Sequence, residues 1–354
     1  MRIQPASTRV NAVLLSAALL LTSGGCAGEP VARWVDGSGQ PTRKSDPPTV
    51  VTLAFAGDVH FAGRTLALLD NPESAFGPIS RVLTAADVAV VNLETAVTVR
   101  GAPEPKQFHF RAPQRAYQAV RAAGIDVVSL ANNHALDYGR DGLTDTLRHA
   151  ARAGMPVVGA GRDADAAYSP WVADVDGLRI AILGLSQISE LAERWEARNG
   201  VAGIAMGHER SRAARAVQAA RRQADVVIVF LHWGQEGNEC PTSRMKRLAR
   251  ALARAGATAV IGTHAHLLQG DGWLGDTYVA YGLGNFLWWR DEAFSNDTGV
   301  LRLTLRGSAL VDTEFVPARI SGTGQPIPAT GAQARRIIDK FGALRACTGL
   351  SENG

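Results

Sequence analysis

The sequence contains little lysine, little cysteine and no long run of apolar residues. Four of its 37 basic residues are lysines, no cluster of lysine and arginine stands out, and the formal net charge of the 354-residue chain is +4. A dedicated nucleic-acid binder concentrates basic charge on one surface, so we expect no nucleic acid as a partner. Hydrophobic residues make up 46% and charged residues 20% of the chain. This composition indicates a globular protein and excludes a disordered chain or one that crosses a membrane repeatedly.

The N-terminus has the order of features that is typical of a secretion signal. Two arginines precede an apolar run over residues 12–21, which is too short to span a membrane comfortably. Small residues follow and lead to Cys26 in a pattern that resembles a bacterial lipobox, although Ser23 stands where leucine is usual. We therefore expect residues 1–26 to direct export and Cys26 to be lipidated, which would hold the protein at the outer face of the cytoplasmic membrane. An uncleaved anchor or a freely secreted product is the alternative.

The three cysteines fit the same compartment. If Cys26 carries lipid, Cys240 and Cys347 remain as a pair, and two such cysteines outside the cytoplasm tend to form a disulfide. Two unpaired buried thiols are the alternative. Between the signal and the first apolar strand, residues 27–48 are polar and rich in glycine and proline, which predicts a linker.

Strand-like and helical patterns alternate from residue 49 onwards, which predicts an α/β domain. After residue 275 the pattern changes to alternating strands, and a final helix is expected over about 332–344. We expect one domain over 49–318 and a helical extension over 319–354. Four earlier helices are predicted over residues 114–123, 142–153, 209–223 and 243–255.

Polar residues collect where the predicted strands end, which is where α/β proteins place their sites. Five of the eight histidines occupy such positions, together with two carboxylates and an asparagine. Side chains two residues apart in a strand face the same side, so Asp58 with His60, and His264 with His266, would each form half of a metal site. A pair of histidines that caps a strand and bonds to backbone is the alternative. The residues at these five strand ends are Asp58, His60, Glu94, Asn133, His134, His232, His264 and His266.

Carboxylate, amide and neutral imidazole ligands together match borderline divalent metals, namely Mn, Fe or Zn. The ligands suffice for two ions with one bridging carboxylate, an arrangement that activates water and stabilises an oxyanion. The reaction class that this implies is hydrolysis of a phosphoester, amide or similar bond.

Six ordered motifs carry a resemblance to a known family. They are GDVHFAGR (57–64), VNLETAVT (91–98), SLANNHALDYGRDGL (129–143), LHWGQEG (231–237), LARAGATAVIGTHAHLLQG (252–270) and YGLGNFLW (281–288). Their order resembles the calcineurin-like metallophosphoesterase superfamily and, within it, the CapA family, which is linked to poly-γ-glutamate capsule synthesis. The resemblance implies an α/β fold of the metallophosphoesterase-like four-layer sandwich type, in which two facing β-sheets are flanked by helices.

The resemblance also implies a role for each residue. Glu94 would bridge two ions, although the superfamily usually has aspartate there, and His134 would protonate the leaving group while Asp137 orients it. Asn132 replaces the usual glycine before the Asn-His pair. The ligands of the first metal would be Asp58, His60 and His266, and those of the second Asn133, His232 and His264.

Three further residues are predicted to contact substrate. Arg64 would meet an anionic group, Asn285 would contact the substrate, and Trp288 with Trp289 would form a wall of the cleft. The alternatives are an exposed arginine without such a partner and aromatic core packing. The first functional hypothesis is an exported metal-dependent hydrolase of an anionic polymer or its precursor. The second is a non-catalytic accessory that uses the metal site structurally and binds the polymer or the membrane synthase and exporter.

Overall fold

The first strand of the fold is apolar on both of its faces. In the computed structural model, which describes residues 49–354, this strand covers Val50–Val59. Leu53 and Phe55 lie in one apolar cluster, whereas Ala54 and Ala56 lie in another. Because successive side chains of a strand point to opposite faces, the strand must be covered on both sides.

The described part of the chain alternates between strands and helices, as expected. In chain order the strands are β1 (Val50–Val59), β2 (Val88–Leu93), β3 (Ala96–Val97), β4 (Arg111–Ala112), β5 (Val127–Ser129), β6 (Val157–Val158), β7 (Ala160–Gly161), β8 (Trp171–Val175), β9 (Leu178–Ser186), β10 (Gly203–Ile204), β11 (Val226–His232), β12 (Ala259–Thr263), β13 (Leu268–Leu274), β14 (Thr277–Leu283), β15 (Asn285–Leu287), β16 (Asp297–Arg306), β17 (Ala309–Ile320) and β18 (Pro326–Pro328).

Eight α-helices of the described residues lie between or after these strands. They are α1 (Ser80–Leu83), α2 (Ala116–Ala122), α3 (Gly139–Arg152), α4 (Ala164–Tyr168), α5 (Ala192–Trp195), α6 (Arg210–Arg221), α7 (Ser243–Arg254) and α8 (Gly331–Ala343), and short 3₁₀ helices cover Gly63–Asp70, Pro72–Ser74, Gly77–Ile79 and Leu344–Cys347. The five predicted helices correspond to α2, α3, α6, α7 and α8, with ends shifted by up to three residues. Gly124, Gly154 and Gly256 follow three of these helices with positive φ, which is typical of left-handed caps.

The strands form two large sheets. The first runs in the order β18–β17–β16–β1–β2–β5–β6, with β15 beside β1, and the second in the order β13–β14–β12–β11–β9–β8. In each sheet the central strands are parallel: β1, β2, β5 and β6 in the first and β9, β11, β12 and β14 in the second. Antiparallel strands extend the edges, including the hairpin of β16 and β17.

Three apolar clusters show how the layers stack. Phe55 of β1 and Phe230 of β11 meet between the two sheets, with ring centroids 6.0 Å apart. The alternate residues of the first sheet pack with α2 and α3, and those of the second sheet pack with α6 and α7. The order is therefore helix, sheet, sheet, helix, which is the predicted four-layer sandwich with two facing sheets flanked by helices.

The C-terminal segment is part of this core. Strand β17 runs through residue 318, so the boundary expected there falls inside a strand. Ile337 and Phe341 of α8 are buried in the cluster between the sheets, and Phe341 stacks on Phe315 of β17 at 4.3 Å. Cys240 and Cys347 form a disulfide, which joins the end of this segment to the loop before α7.

The secretion signal, Cys26 and the linker expected over residues 27–48 lie outside the described residues. Within residues 49–354, no helix combines the length and the apolar character that a membrane span requires.

Candidate metal centre

The five predicted strand ends meet at one edge of the sandwich. Strands β1, β2 and β5 bring them from the first sheet, and β11 and β12 bring them from the second. The carboxyl ends of parallel strands share an edge of a sheet, and in the two facing sheets these edges lie on the same side of the sandwich. Six polar side chains from these five strand ends are therefore within 4 Å of at least one other member of the set: Asp58, Glu94, Asn133, His232, His264 and His266.

Asp58 is the buried centre of the hydrogen-bond network. Its Oδ1 accepts a bond of 2.8 Å from Nδ2 of Asn92, and its Oδ2 accepts one of 3.1 Å from the backbone N–H of His264. Oδ2 also lies 3.3 Å from Nδ1 of His266. A fully buried carboxylate needs such partners to remain charged. Asp58 thereby joins the loops of both sheets.

The histidines of the fifth strand end are not placed by strand alternation, contrary to our expectation. Strand β12 ends at Thr263, and both histidines lie in the turn beyond it, where φ is +90° at His264 and +59° at His266. Residues other than glycine adopt such φ values at a cost, and they do so mainly at functional sites. The turn brings both imidazoles to the site by this strained backbone.

Glu94 is common to two groups of potential ligands. Ligand atoms of Asp58, Glu94 and His232 lie within 4.8 Å of one another, and so do those of Glu94, His264 and His266. The resemblance predicted a bridging Glu94, and the grouping agrees with that role. It divides the other ligands differently, because the expected first group combined Asp58 with His266 and the second combined His232 with His264.

The donor set fits divalent metal ions. Both carboxylate oxygens of Glu94 and both ring nitrogens of His60 are buried and make no hydrogen bond. A buried polar group without a partner costs about 1–3 kcal/mol, and more when it is charged, so these atoms call for a ligand that satisfies them. Oxygen and imidazole donors at this density suit Mn, Fe or Zn. His60 lies outside both groups and stacks on Phe110, with ring centroids 4.2 Å apart.

The electrostatics of the site favour neutral imidazoles. Burial lowers the pKa of His60 and His264 well below the ordinary value, and it lowers the pKa of His232 to about 4. Burial and the charge of Asp58 raise the pKa of Glu94 well above its usual range. His266 differs: burial opposes its charge, but the hydrogen bond to Asp58 and the charge of Glu94 raise its pKa to about 9. A bound metal requires deprotonated ligands, so ion binding would release protons from Glu94 and His266.

His134 and Asp137 form a buried pair beside the ligands, as the resemblance implied. Nδ1 of His134 donates to Oδ2 of Asp137 at 2.7 Å, and Nε2 of the same ring lies 3.9 Å from Oε1 of Glu94. Burial raises the pKa of Asp137 to about 6, against the opposing charge of Lys106. Asp137 therefore fixes Nδ1 of the imidazole, which leaves Nε2 directed toward the ligand cluster.

A cleft of about 270 Å³ opens beside this pair, and five of its twelve lining residues are phenylalanine or tryptophan. Trp288 is one wall, as predicted, and stands 4.4 Å from the ring of His266 and 4.5 Å from that of His60. The remaining lining residues are Phe108, Phe110, His134, Glu236, Gly237, His266, Trp289, Arg290, Glu292, Phe294 and Ser295.

Arg64 is engaged with the protein's own backbone in place of the expected anionic substrate. Its Nε donates to the carbonyl of Trp288 at 3.1 Å, and its terminal nitrogens donate to the carbonyls of Gly322 and Arg290. Arg64 thus holds the loop that carries the tryptophans. Asn285 pairs with Asp58 through the backbone of β15 and β1, and its buried amide makes no hydrogen bond.

Comparison with known proteins identifies the family to which the chain belongs. The profile of the family described as "Bacterial capsule synthesis protein PGA_cap" matches residues 52–288, which is more than half of the chain and includes every potential metal ligand. The chain belongs to this family.

Several relatives and solved structures are similar to the chain. It is 28% identical to the "PGA biosynthesis protein CapA" of Bacillus subtilis over 86% of this chain and 81% of that one. It is 31% identical to the "Probable polyglutamine synthesis accessory protein Rv0574c" of Mycobacterium tuberculosis over 73% of this chain and 70% of that one. A "novel phosphatase" of Mycoplasma pneumoniae aligns with a TM-score of 0.49 at 14% identity, over 76% of this chain and 94% of that one.

Two charged residues of the site were missed by sequence reasoning. Lys106, from the loop between β3 and β4, lies 3.0 Å from Oδ1 of Asp137 with 2% of its side chain exposed. Glu236 lies 3.9 Å from Nε2 of His266 at the mouth of the cleft. Neither stands at a strand end. The scarcity of lysine and the position of Glu236 four residues after His232 are the signals that could have indicated them.

Proposed function

We propose that this family member is an exported, metal-dependent hydrolase that acts on an anionic polymer, or on its precursor, during capsule or poly-γ-glutamate synthesis. The membership of the family and the relatives named for PGA and capsule biosynthesis support the role in polymer synthesis. The observation that carries hydrolysis is the unsatisfied carboxylate of Glu94, which two groups of buried ligands share.

The chain's own residues have separable tasks in this proposal. Asp58, Glu94 and His232 would hold one divalent ion, and Glu94, His264 and His266 a second. Bound ions supply positive charge that lowers the pKa of water and stabilises a developing oxyanion. His134, oriented by Asp137, would donate a proton from Nε2 to the leaving group. The aromatic walls exclude water from the reacting bond and position the segment that enters the cleft.

The proposed place of action is the outer face of the cytoplasmic membrane, with a lipid anchor on Cys26. The order of charged, apolar and small residues before Cys26 supports export. The disulfide between Cys240 and Cys347 agrees with an oxidising compartment. In this place the protein could meet membrane synthase or exporter subunits as well as the polymer that they release. A secreted form is the alternative.

A second candidate is a non-catalytic accessory that binds the polymer or the membrane synthase and exporter. The description of the mycobacterial relative as a synthesis accessory protein favours it. Among the described residues that line the cleft, Arg290 is the one arginine or lysine, and its Nη1 lies 3.4 Å from Oε1 of Glu292. The cleft therefore offers little free positive charge to an anionic segment that would be cut there, which is a physical reason for the non-catalytic role.

The test is the metal content and turnover of the full chain in detergent, loaded with Mn, on an aryl phosphoester and on a γ-glutamyl oligomer. Close to two ions per chain with cleavage of either substrate is the expected result. Bound metal without turnover would favour the accessory, and a chain that binds no metal would contradict both roles of the site.

A further inference from the structure

Lys106 makes contacts that the proposed hydrolysis does not yet use. Its ammonium is buried, with 2% of the side chain exposed, and it lies 3.0 Å from Oδ1 of Asp137 and 3.2 Å from Oε2 of Glu190. It also donates to the backbone carbonyl of Asn133 and lies 3.4 Å from Nδ1 of His134. Three oxygen atoms therefore surround the ammonium: the carbonyl of Asn133 and one carboxylate oxygen each of Asp137 and Glu190.

These partners come from two loops, one after a strand of each large sheet. Asn133, His134 and Asp137 follow β5 of the first sheet, whereas Glu190 follows β9 of the second. Lys106 itself lies in the segment 98–110 between β3 and β4. One buried charge therefore joins the three loops that surround the His134 ring. The ammonium also stands 5.1 Å from the ring centroid of Trp195, which covers it.

Lys106 completes the fixation of the Asp137 carboxylate. Oδ2 accepts from Nδ1 of His134 at 2.7 Å and from the backbone N–H of Phe110 at 2.5 Å, while Lys106 lies at Oδ1. A carboxylate held on both oxygens cannot rotate, so the imidazole bonded to it keeps one ring plane. Phe110 and His134, whose ring centroids are 4.3 Å apart, are thereby locked together.

We propose that Lys106 is a positioning residue. It connects segment 98–110 to the loops of both sheets and so fixes the relative positions of the His134–Asp137 pair and the Asn133 carbonyl. The role in turnover rests on the proposed hydrolysis. The role in ordering the site does not, because it concerns contacts within the chain itself.

The test compares Lys106→Met with Lys340→Met in the full chain. Both changes remove an ion-paired lysine, and Lys340 pairs with Glu239 at 2.9 Å, outside the contacts of the His134–Asp137 pair. The first readout is amide hydrogen exchange of residues 104–110 and 133–137 in metal-free protein, and the second is the NMR signal of the His134 ring. We expect exchange in both segments to be at least about tenfold faster, and the ring signal to broaden, in Lys106→Met alone.

The third readout is turnover of aryl phosphoesters with good and poor leaving groups. Loss of a residue that supports a catalytic group costs about 10–100-fold in activity. We expect this loss in kcat for the poor leaving group, a smaller one for the good leaving group, and an unchanged KM. A residue that only stabilises the fold would affect both substrates equally.

Each outcome decides one question. Wild-type exchange and ring signals in Lys106→Met would overturn the positioning role. Should that variant fail to fold, Lys106→Gln, which is neutral but can still donate, is judged by the same two readouts. A wild-type chain that turns over neither ester nor oligomer would contradict the hydrolase, and the exchange and ring measurements would still decide the role of Lys106.

Discussion

The backbone N–H of His264 donates to Oδ2 of Asp58 at 3.1 Å, which joins the turn after β12 of one sheet to the end of strand β1 of the other. The two residues are 206 positions apart in the chain. Asp58 thus has a structural bond at the oxygen that also faces His266. The site and the pairing of the two sheets depend on the same carboxylate.

Replacing Asp58 with alanine should remove metal and activity together. The change deletes a ligand and leaves the buried N–H groups of its partners without an acceptor. We expect bound metal to fall by at least one ion per chain and turnover by at least about 100-fold, as measured by elemental analysis and initial rates. His149→Ala is the matched control, because Nδ1 of His149 bonds only to the carbonyl of Val97. Wild-type metal content in Asp58→Ala would refute the ligand assignment.

The positive φ at His264 makes a different prediction for two substitutions of the same residue. His264→Ala and His264→Gly both delete the imidazole, so both should lower metal content. Glycine adopts φ near +90° without the penalty of a Cβ. The free energy of unfolding of metal-free His264→Gly should therefore be about 1 kcal/mol higher than that of His264→Ala. Urea unfolding of the two variants measures the difference. Equal stabilities would mean that the turn relaxes when the imidazole is lost.

The sequence was sufficient to predict which residues of the strand ends meet, and its limits have physical causes. Parallel strands in the chain order of this fold bring their carboxyl ends together whatever the loops do, so the proximity of Asp58, Glu94 and His232 could be predicted, whereas their grouping around one ion could not. The conformation at His264 was not predictable, because the period of two applies only while the strand continues, and β12 ends at Thr263. Lys106 lies in a segment without periodicity, and only tertiary contacts bring it to the site.

Removing His134 should separate proton donation from metal binding. The ring contributes neither to the group of Asp58, Glu94 and His232 nor to that of Glu94, His264 and His266. We expect His134→Ala to retain wild-type metal content while kcat falls about 10²–10⁴-fold, the usual contribution of a general acid. The fall should be greatest for poor leaving groups. A parallel loss of metal would instead assign the imidazole to the ligand set.

The disulfide should contribute strongly to the stability of the described domain. It closes a loop between residues separated by 107 positions and fastens the segment after α8 to the loop that carries Glu236. We expect Cys347→Ser to lower the free energy of unfolding by about 2–5 kcal/mol in urea. Reductant should lower the wild type to the level of the variant and leave the variant unchanged. An effect of reductant on the variant would point to a different source of the loss.

The contact of Arg336 with Asp297 predicts how acid destabilises the protein. Two guanidinium nitrogens of Arg336 on α8 reach the Asp297 carboxylate on β16, at 2.6 and 2.8 Å. Burial opposes the charge of Asp297, but these bonds and the charge of Arg336 lower its pKa below the ordinary value. Folding therefore releases a proton from this group, and its stabilisation is complete above about pH 5 and is lost as the pH falls through the folded pKa.

Asp297→Asn should accordingly cost about 2 kcal/mol of unfolding free energy at pH 7, the usual value of hydrogen bonds to a charged group. The difference from wild type should shrink as the pH falls from about 5 through the lowered folded pKa, because the wild-type carboxyl then becomes protonated as well. Urea unfolding over this range measures it. Asp339→Asn on α8, the helix that carries Arg336, is the control, since the carboxyl of Asp339 is exposed. A difference that stayed constant with pH would show that Asp297 stabilises the fold through its shape and not through its charge.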